Sequence, residues 1–140
     1  MTRMDRVALR ILRPINPSVI IILGVYTIVW GLWLISPFWT VFTQAPLYSA
    51  LMAIGSEYFW GSVATVSGML ISYGAIKPSY RNLILGSLVG FFYWFIIAGL
   101  YFAGDWMNTG GITSLAFAIY SALIWVNIKV NKSHFMEDIR

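Results

Sequence analysis

Lys77-Pro78-Ser79-Tyr80-Arg81-Asn82 separates two apolar runs, Tyr58–Ile76 and Leu83–Phe102, each of membrane-spanning length. It is the only interior break that carries positive charge. The breaks on either side, residues 43–57 and 103–111, hold no Lys or Arg. A charged, proline-containing turn between two long apolar runs predicts a membrane-embedded helical hairpin at the centre of a multi-span protein.

Composition leads to the same class. The 140 residues are 59% hydrophobic and 17% aromatic, and only 10% are charged, so polar side chains are too few to cover a water-soluble sphere. Mean hydropathy is +0.77, with the apolar residues blocked into long segments. The net charge of +4 comes from singly scattered basic residues, a placement that argues for membrane orientation and against nucleic acid. Without cysteine the chain has no disulfide scaffold, thiol catalysis or thiolate-bound metal.

Outward from the hairpin, the first span begins after Asn16-Pro17, an N-cap followed by proline at the first helical position. Ser18–Ser36 is almost wholly apolar, and Pro37 ends or kinks a run that continues to about residue 42. Its length and its tryptophans distinguish it from a signal peptide, despite a basic lead-in and a faint cleavage-like Thr43-Gln44-Ala45. Residues 47–57 form either an interfacial helix opened by Pro46 or an outward extension of span two. The fourth span is expected over 112–130, after the turn Asn108-Thr109-Gly110-Gly111. Ahead of the bundle, residues 1–17 form a basic segment, and Thr2 with Asp5 matches a capping box. Arg3, Arg6, Arg10 and Arg13 gather on one face of an amphipathic helix suited to lipid headgroups, the alternative being a disordered basic tail. Residues 133–140 form a short tail.

The fold expected is therefore all-α: an integral-membrane four-helix bundle, up-down-up-down, with spans near 18–42, 58–76, 83–102 and 112–130. All nine Lys and Arg fall in the N-terminal segment, the central turn or the C-terminal region, which four spans place on one side. The positive-inside bias then makes both termini cytoplasmic, with an inner or cell membrane the expected location. Asn131-Lys132-Ser133 matches a glycosylation sequon but would lie on the wrong side for modification.

Small residues recur every fourth position in three spans: Ala64, Gly68 and Ser72; Gly86 and Gly90; Ser114, Ala118 and Ala122. Such faces let helices approach closely, and the first two sets are expected to form the hairpin's internal seam. The aromatic run Phe91-Phe92-Tyr93-Trp94-Phe95 lies at mid-membrane. Buried Tyr93 or Trp94 would need a partner for its polar atom, which predicts an interhelical hydrogen bond or partner contact.

Few groups could do chemistry. His134 stands alone, no phosphate-binding glycine motif occurs, and no serine lies in a nucleophile-elbow sequence. Glu57 and Asp105 are the carboxylates at the membrane edge, each more readily read as a solvated interfacial acid than as an active group. No other Asp, Glu, Lys, Arg or His lies within a span interior, which argues against a proton-coupled transporter. No catalytic residue, metal or cofactor is expected. The reading is a non-catalytic subunit or assembly factor of a larger membrane complex, with membrane lipids and other membrane subunits or its own copies as partners. The alternatives are a homo-oligomeric pore and a lipid-binding or lipid-modifying protein with Glu57 near its site.

Overall fold

A computed structural model describes residues 15–38, 40, 48–104 and 106–132. Arg3, Arg6, Arg10, Arg13, the Thr2/Asp5 box, Asp105 and His134 lie outside the described residues. Four long helices run up-down-up-down: α1 (Pro17–Ile35), α3 (Glu57–Ile76), α4 (Tyr80–Gly104) and α5 (Thr109–Val130), with a short α2 (Ser49–Ile54) between the first two. All four long helices are apolar enough and long enough to cross a membrane. The chain is a multi-pass helical membrane protein. We call the end holding residues 15–17, 76–80 and 128–132 the terminal end, and the opposite end the far end.

The helix limits follow from local chemistry. Asn16 caps α1 by accepting from Ser18 N (3.0 Å), and Pro17 fills the first position, where its missing N–H costs nothing. The helix stops at Ile35, short of the expected limit near residue 42. Ser36 lies at φ −58°, ψ 129°, the extended geometry that a following proline imposes on its neighbour. Within the expected 47–57 segment, Ser49–Ile54 is a separate helix, α2, and not an extension of the second span. α2 ends at Gly55, and Ser56 caps α3 by accepting from Phe59 N (3.3 Å). In the central turn, Tyr80, Arg81 and Asn82 belong to the first turn of α4, so Lys77-Pro78-Ser79 alone make the connection. Asn108 draws Gly110 and Gly111 into α5 by accepting from Gly111 N (2.5 Å). Its amide also donates to the Tyr101 carbonyl (2.8 Å), pinning the α4–α5 connection.

α1 packs on α3 and α5 on α4, and the α3–α4 hairpin joins the two pairs. The α1–α3 contact is built on glycine. Gly24 and Gly31 in α1 meet Gly68 and Gly61 in α3, seven residues apart on both helices and in one antiparallel register. A Cβ on Gly31 would lie 2.6 Å from the Gly61 carbonyl oxygen, and one on Gly61 would lie 2.6 Å from that of Gly31. The second pair repeats this: a Cβ on Gly68 would stand 2.5 Å from the Gly24 oxygen. No described glycine has positive φ, so these serve close approach and not an unusual backbone. A seven-residue repeat keeps both seams facing each other only with the slight left-handed crossing common among membrane helices.

The expected hairpin seam is corrected by this arrangement. Gly68 and Ser72 face α1. Gly86 and Gly90 do face α3, but they meet Ser67, Leu70 and Ile71 there. Ser67 Oγ donates to the Gly86 carbonyl (3.1 Å), and Gly74 packs on Leu83 at the turn. Ala64, wholly buried, lies in the core with Leu34, Tyr93 and Trp94. In α5, Ser114 and Ala118 are buried, whereas Ala122 is only half-buried and Ser121 takes the interior position. A strict four-residue spacing turns about 40° past each full turn of a 3.6-residue helix, so by its third member, Ala122, the stripe has drifted off the face.

The glycine pairs give a direct test. Gly31→Ala and Gly61→Ala should each destabilise the bundle by roughly 1–3 kcal/mol, because the added methyl meets backbone that cannot swing aside. Gly99, with nothing within 4 Å of its notional Cβ, is the control. Gly99→Ala should be neutral or stabilising by up to about 1 kcal/mol through helix propensity. Reversible unfolding in mixed detergent would measure all three.

Candidate functional site

Close approach of α1 to α3 aims one face of α1 across the bundle at α4, and aromatic rings fill the intervening space. Trp30 Nε1 donates to Tyr93 Oη (3.0 Å), and Trp94 Nε1 donates to Thr27 Oγ1 (3.3 Å). Thr27 passes its own proton to the Leu23 carbonyl (2.8 Å), which leaves its oxygen free to accept from the indole. Tyr93, Trp94 and Thr27 are all buried. Each of these polar atoms would be costly to leave unpaired in an apolar surrounding.

The two halves of the bundle differ. Toward the terminal end the core is aliphatic: Ile20, Leu23, Ile71, Leu83, Ile124 and Ile128. There the Ile15 N–H reaches the Asn127 side-chain oxygen (3.4 Å), linking the start of α1 to α5. Toward the far end the core is aromatic, with Trp60, Tyr93, Trp94 and Tyr101 around Leu34, Leu51 and Ala118. α2 closes this end over α4. Leu51 is 1% exposed and its carbonyl accepts from Trp60 Nε1 (3.1 Å), while Tyr48 packs on Tyr101 with ring centres 5.7 Å apart.

Along the fourth side of the bundle, α1 and α5 meet through side chains and not through close backbones. Tyr26 stacks at a tilt on Phe117 (4.5 Å between centres), and Trp94 lies behind both, at 5.1 Å from Phe117 and 6.0 Å from Tyr26. Two hollows flank this aromatic bridge. Toward the far end a cavity of about 170 Å³ is walled by Tyr26, Trp30, Trp94, Tyr101 and Phe117, with Thr109, Gly110, Thr113 and Ser114 of α5 at its rim. Toward the terminal end an apolar groove of about 460 Å³ runs between Val19, Ile22 and Leu23 of α1 and Ala116, Phe117 and Tyr120 of α5. Tyr26 and Phe117 belong to both.

The other singled-out residues lie elsewhere. Glu57, half-buried in the first turn of α3, sits where a negative charge complements the helix dipole, and it does not line either hollow. Phe92 and Phe95 lie on the outer side of α4, each 54% exposed, whereas Phe91 is half-buried against the aromatic core. Among the described residues, no three His, Cys, Asp or Glu side chains come together as a metal site would need. The buried hydroxyls of Ser72 and Ser121 make no hydrogen bond. Sequence reasoning passed over Tyr26, Thr27, Trp30, Tyr101 and Phe117. Their spacing along one helix says nothing about which other helix they meet. Gly24 and Gly31 carried a usable signal, a seven-residue glycine spacing that Gly61 and Gly68 repeat. No family model, curated protein or solved structure matches the chain.

The two indole bonds should show measurable coupling. Tyr93→Phe and Trp30→Phe, made singly and together, should give an interaction free energy of about 0.5–1.5 kcal/mol in a double-mutant cycle. Thr27→Val should cost about 1–3 kcal/mol, since it leaves the Trp94 N–H buried without an acceptor. Equilibrium unfolding followed by tryptophan fluorescence would read both.

Proposed function

We propose that the protein is a non-catalytic membrane subunit or stabilising factor that packs within a larger membrane complex. The carrying observation is the ordered aromatic face on the outside of α4. Phe91, half-buried against the core, packs edge-on against Phe92 (5.1 Å) and stacks with Phe95 (5.8 Å), so it braces two rings that are turned outward. Rigid aromatic anchors at a surface are what protein interfaces use, whereas lipid tails require only apolarity. The interior supports the same reading. Indole, phenol and hydroxyl groups near the centre serve to hold helices together, and few are free to converge on a substrate.

The orientation that goes with this reading puts the terminal end on the inner side of a cell membrane. The described basic residues Lys77, Arg81, Lys129 and Lys132 all stand at that end, as the positive-inside bias requires. Because the chain has no cysteine, single replacements report sidedness directly. In sealed cells an impermeant thiol reagent should label Asn108→Cys and spare Ser79→Cys until the membrane is opened.

After gentle extraction from its native membrane, the protein should co-purify with other membrane proteins in fixed proportion. Phe92→Ala together with Phe95→Ala should cut that recovery several-fold with the bundle still folded. Glu57→Gln should leave it unchanged. A ring made of this chain alone would instead support a pore, and a loss of function in Glu57→Gln would support a lipid-modifying role.

A further inference from the structure

We propose that the hollow at the start of α4 binds one anionic phospholipid from the leaflet at the terminal end, its phosphate held by Arg81 beside Ser79 and Asn82 and its acyl chains passing over Leu85. This goes beyond the role as a subunit and does not depend on it.

At about 1.5 Å per residue, the 25 residues of α4 extend roughly 37 Å, beyond a hydrocarbon layer of about 30 Å, so the first turn of this helix stands at headgroup depth. Around that turn lies a hollow of about 580 Å³, bounded by Ser79, Tyr80, Arg81, Asn82, Ile84 and Leu85. Its polar and apolar parts follow one another in the order of a phospholipid. Ser79, Arg81 and Asn82 stand at the outer rim with hydroxyl, guanidinium and amide donors, a set that suits phosphate oxygens. Leu85, 52% exposed, lies one helical turn deeper than Arg81 on the same face, with half-buried Ile84 beside it. Acyl chains leaving a phosphate at the rim therefore meet apolar surface while heading toward the membrane centre. Among the described residues, the side chains of Ser79, Arg81 and Asn82 make no hydrogen bond or ion pair within the protein, so their donors are available to a ligand.

Charge selects an anion. The Lys132 ammonium lies over the Tyr80 ring, 5.2 Å from its centre, and brings a second positive charge to a wall of the hollow. Lys129 rests likewise on Trp125 at 4.3 Å, and Lys77 on Tyr73 at 5.7 Å. Each ring restrains a long side chain at the membrane border, which reduces the ordering cost when an anion is bound. The only carboxylate side chain among the described residues, Glu57, stands at the far end. In the whole sequence, all nine Lys and Arg fall in segments of the terminal end, against Asp5, Glu137 and Asp138. A zwitterionic headgroup would place its own ammonium among these cations, whereas phosphatidylglycerol presents phosphate alone. A free phosphate could use the rim but would gain nothing from Ile84 and Leu85, so the apolar floor favours a lipid.

Native mass spectrometry of the full chain in mild detergent tests this, with phosphatidylglycerol, phosphatidylcholine and phosphatidylethanolamine of identical acyl chains titrated separately. One phosphatidylglycerol per chain should bind roughly tenfold more tightly than either zwitterionic lipid. Arg81→Gln should cut that preference about fivefold, the effect of one charge close to the phosphate. Lys77→Gln removes the same charge from the same end but outside the hollow, and should change the preference less than about twofold. Millimolar glycerol 3-phosphate should leave the bound lipid in place. Unchanged circular dichroism and elution volume would show that each variant is folded. Equal binding of the three lipids would overturn the proposal. So would equal losses in Arg81→Gln and Lys77→Gln, the mark of a diffuse basic surface, or displacement by glycerol 3-phosphate, the mark of a site for a soluble anion.

Discussion

The constraint on which the rest of the bundle depends is the absence of side chains where α1 crosses α3. In a bilayer, helices gain little from the hydrophobic effect when they associate, so contact must come from van der Waals packing and backbone proximity. Gly24 against Gly68 and Gly31 against Gly61 provide that proximity at two levels, with each helix's carbonyl oxygen close to where the other's Cβ would be. Cα–H groups facing carbonyls at such an approach add weak polar attraction. Two contacts seven residues apart also set rotation and register, with Ile28 and Thr65 packed directly beside Gly68 and Gly31.

With α1 rotated this way, Thr27 and Trp30 are delivered to Trp94 and Tyr93, and the bundle centre becomes a layer of rings tied by two indole bonds. Rings of that size hold helices apart. The fourth side, between α1 and α5, is consequently bridged by Tyr26 and Phe117 and leaves hollows above and below them. Tight glycine packing on one side and aromatic bulk in the middle together produce an open seam on the other. The open seam and the close α1–α3 contact are thus two results of one distribution of side-chain volume.

Much of this architecture was legible in the sequence, and for a simple reason. A lipid-spanning helix satisfies its own backbone and needs only length and apolarity, both local properties. The four spans and the turn around Pro78 follow from them. End positions were less legible. As caps, Asn108 brings three further residues into its helix and Ser56 brings one, and Pro37 stops α1 earlier than apolarity alone implies. The stripes of small residues were visible, but their partners were not. Gly68 and Ser72 read equally well as half of the α3–α4 seam, and the fourfold spacing that included Ala122 ignored the 3.6-residue turn.

By itself, then, the sequence determined that this chain is a four-span helical membrane protein and where its charges lie, since the bilayer acts on each segment separately. Only the tertiary structure decided which faces meet. Helix pairing depends on complementary shape between surfaces far apart in the chain, and no local pattern records that Gly31 opposes Gly61 or that Trp30 finds Tyr93. The aromatic cavity belongs to the same category. Its walls come from α1, α4 and α5, and they form a space only because those helices are held at unequal distances.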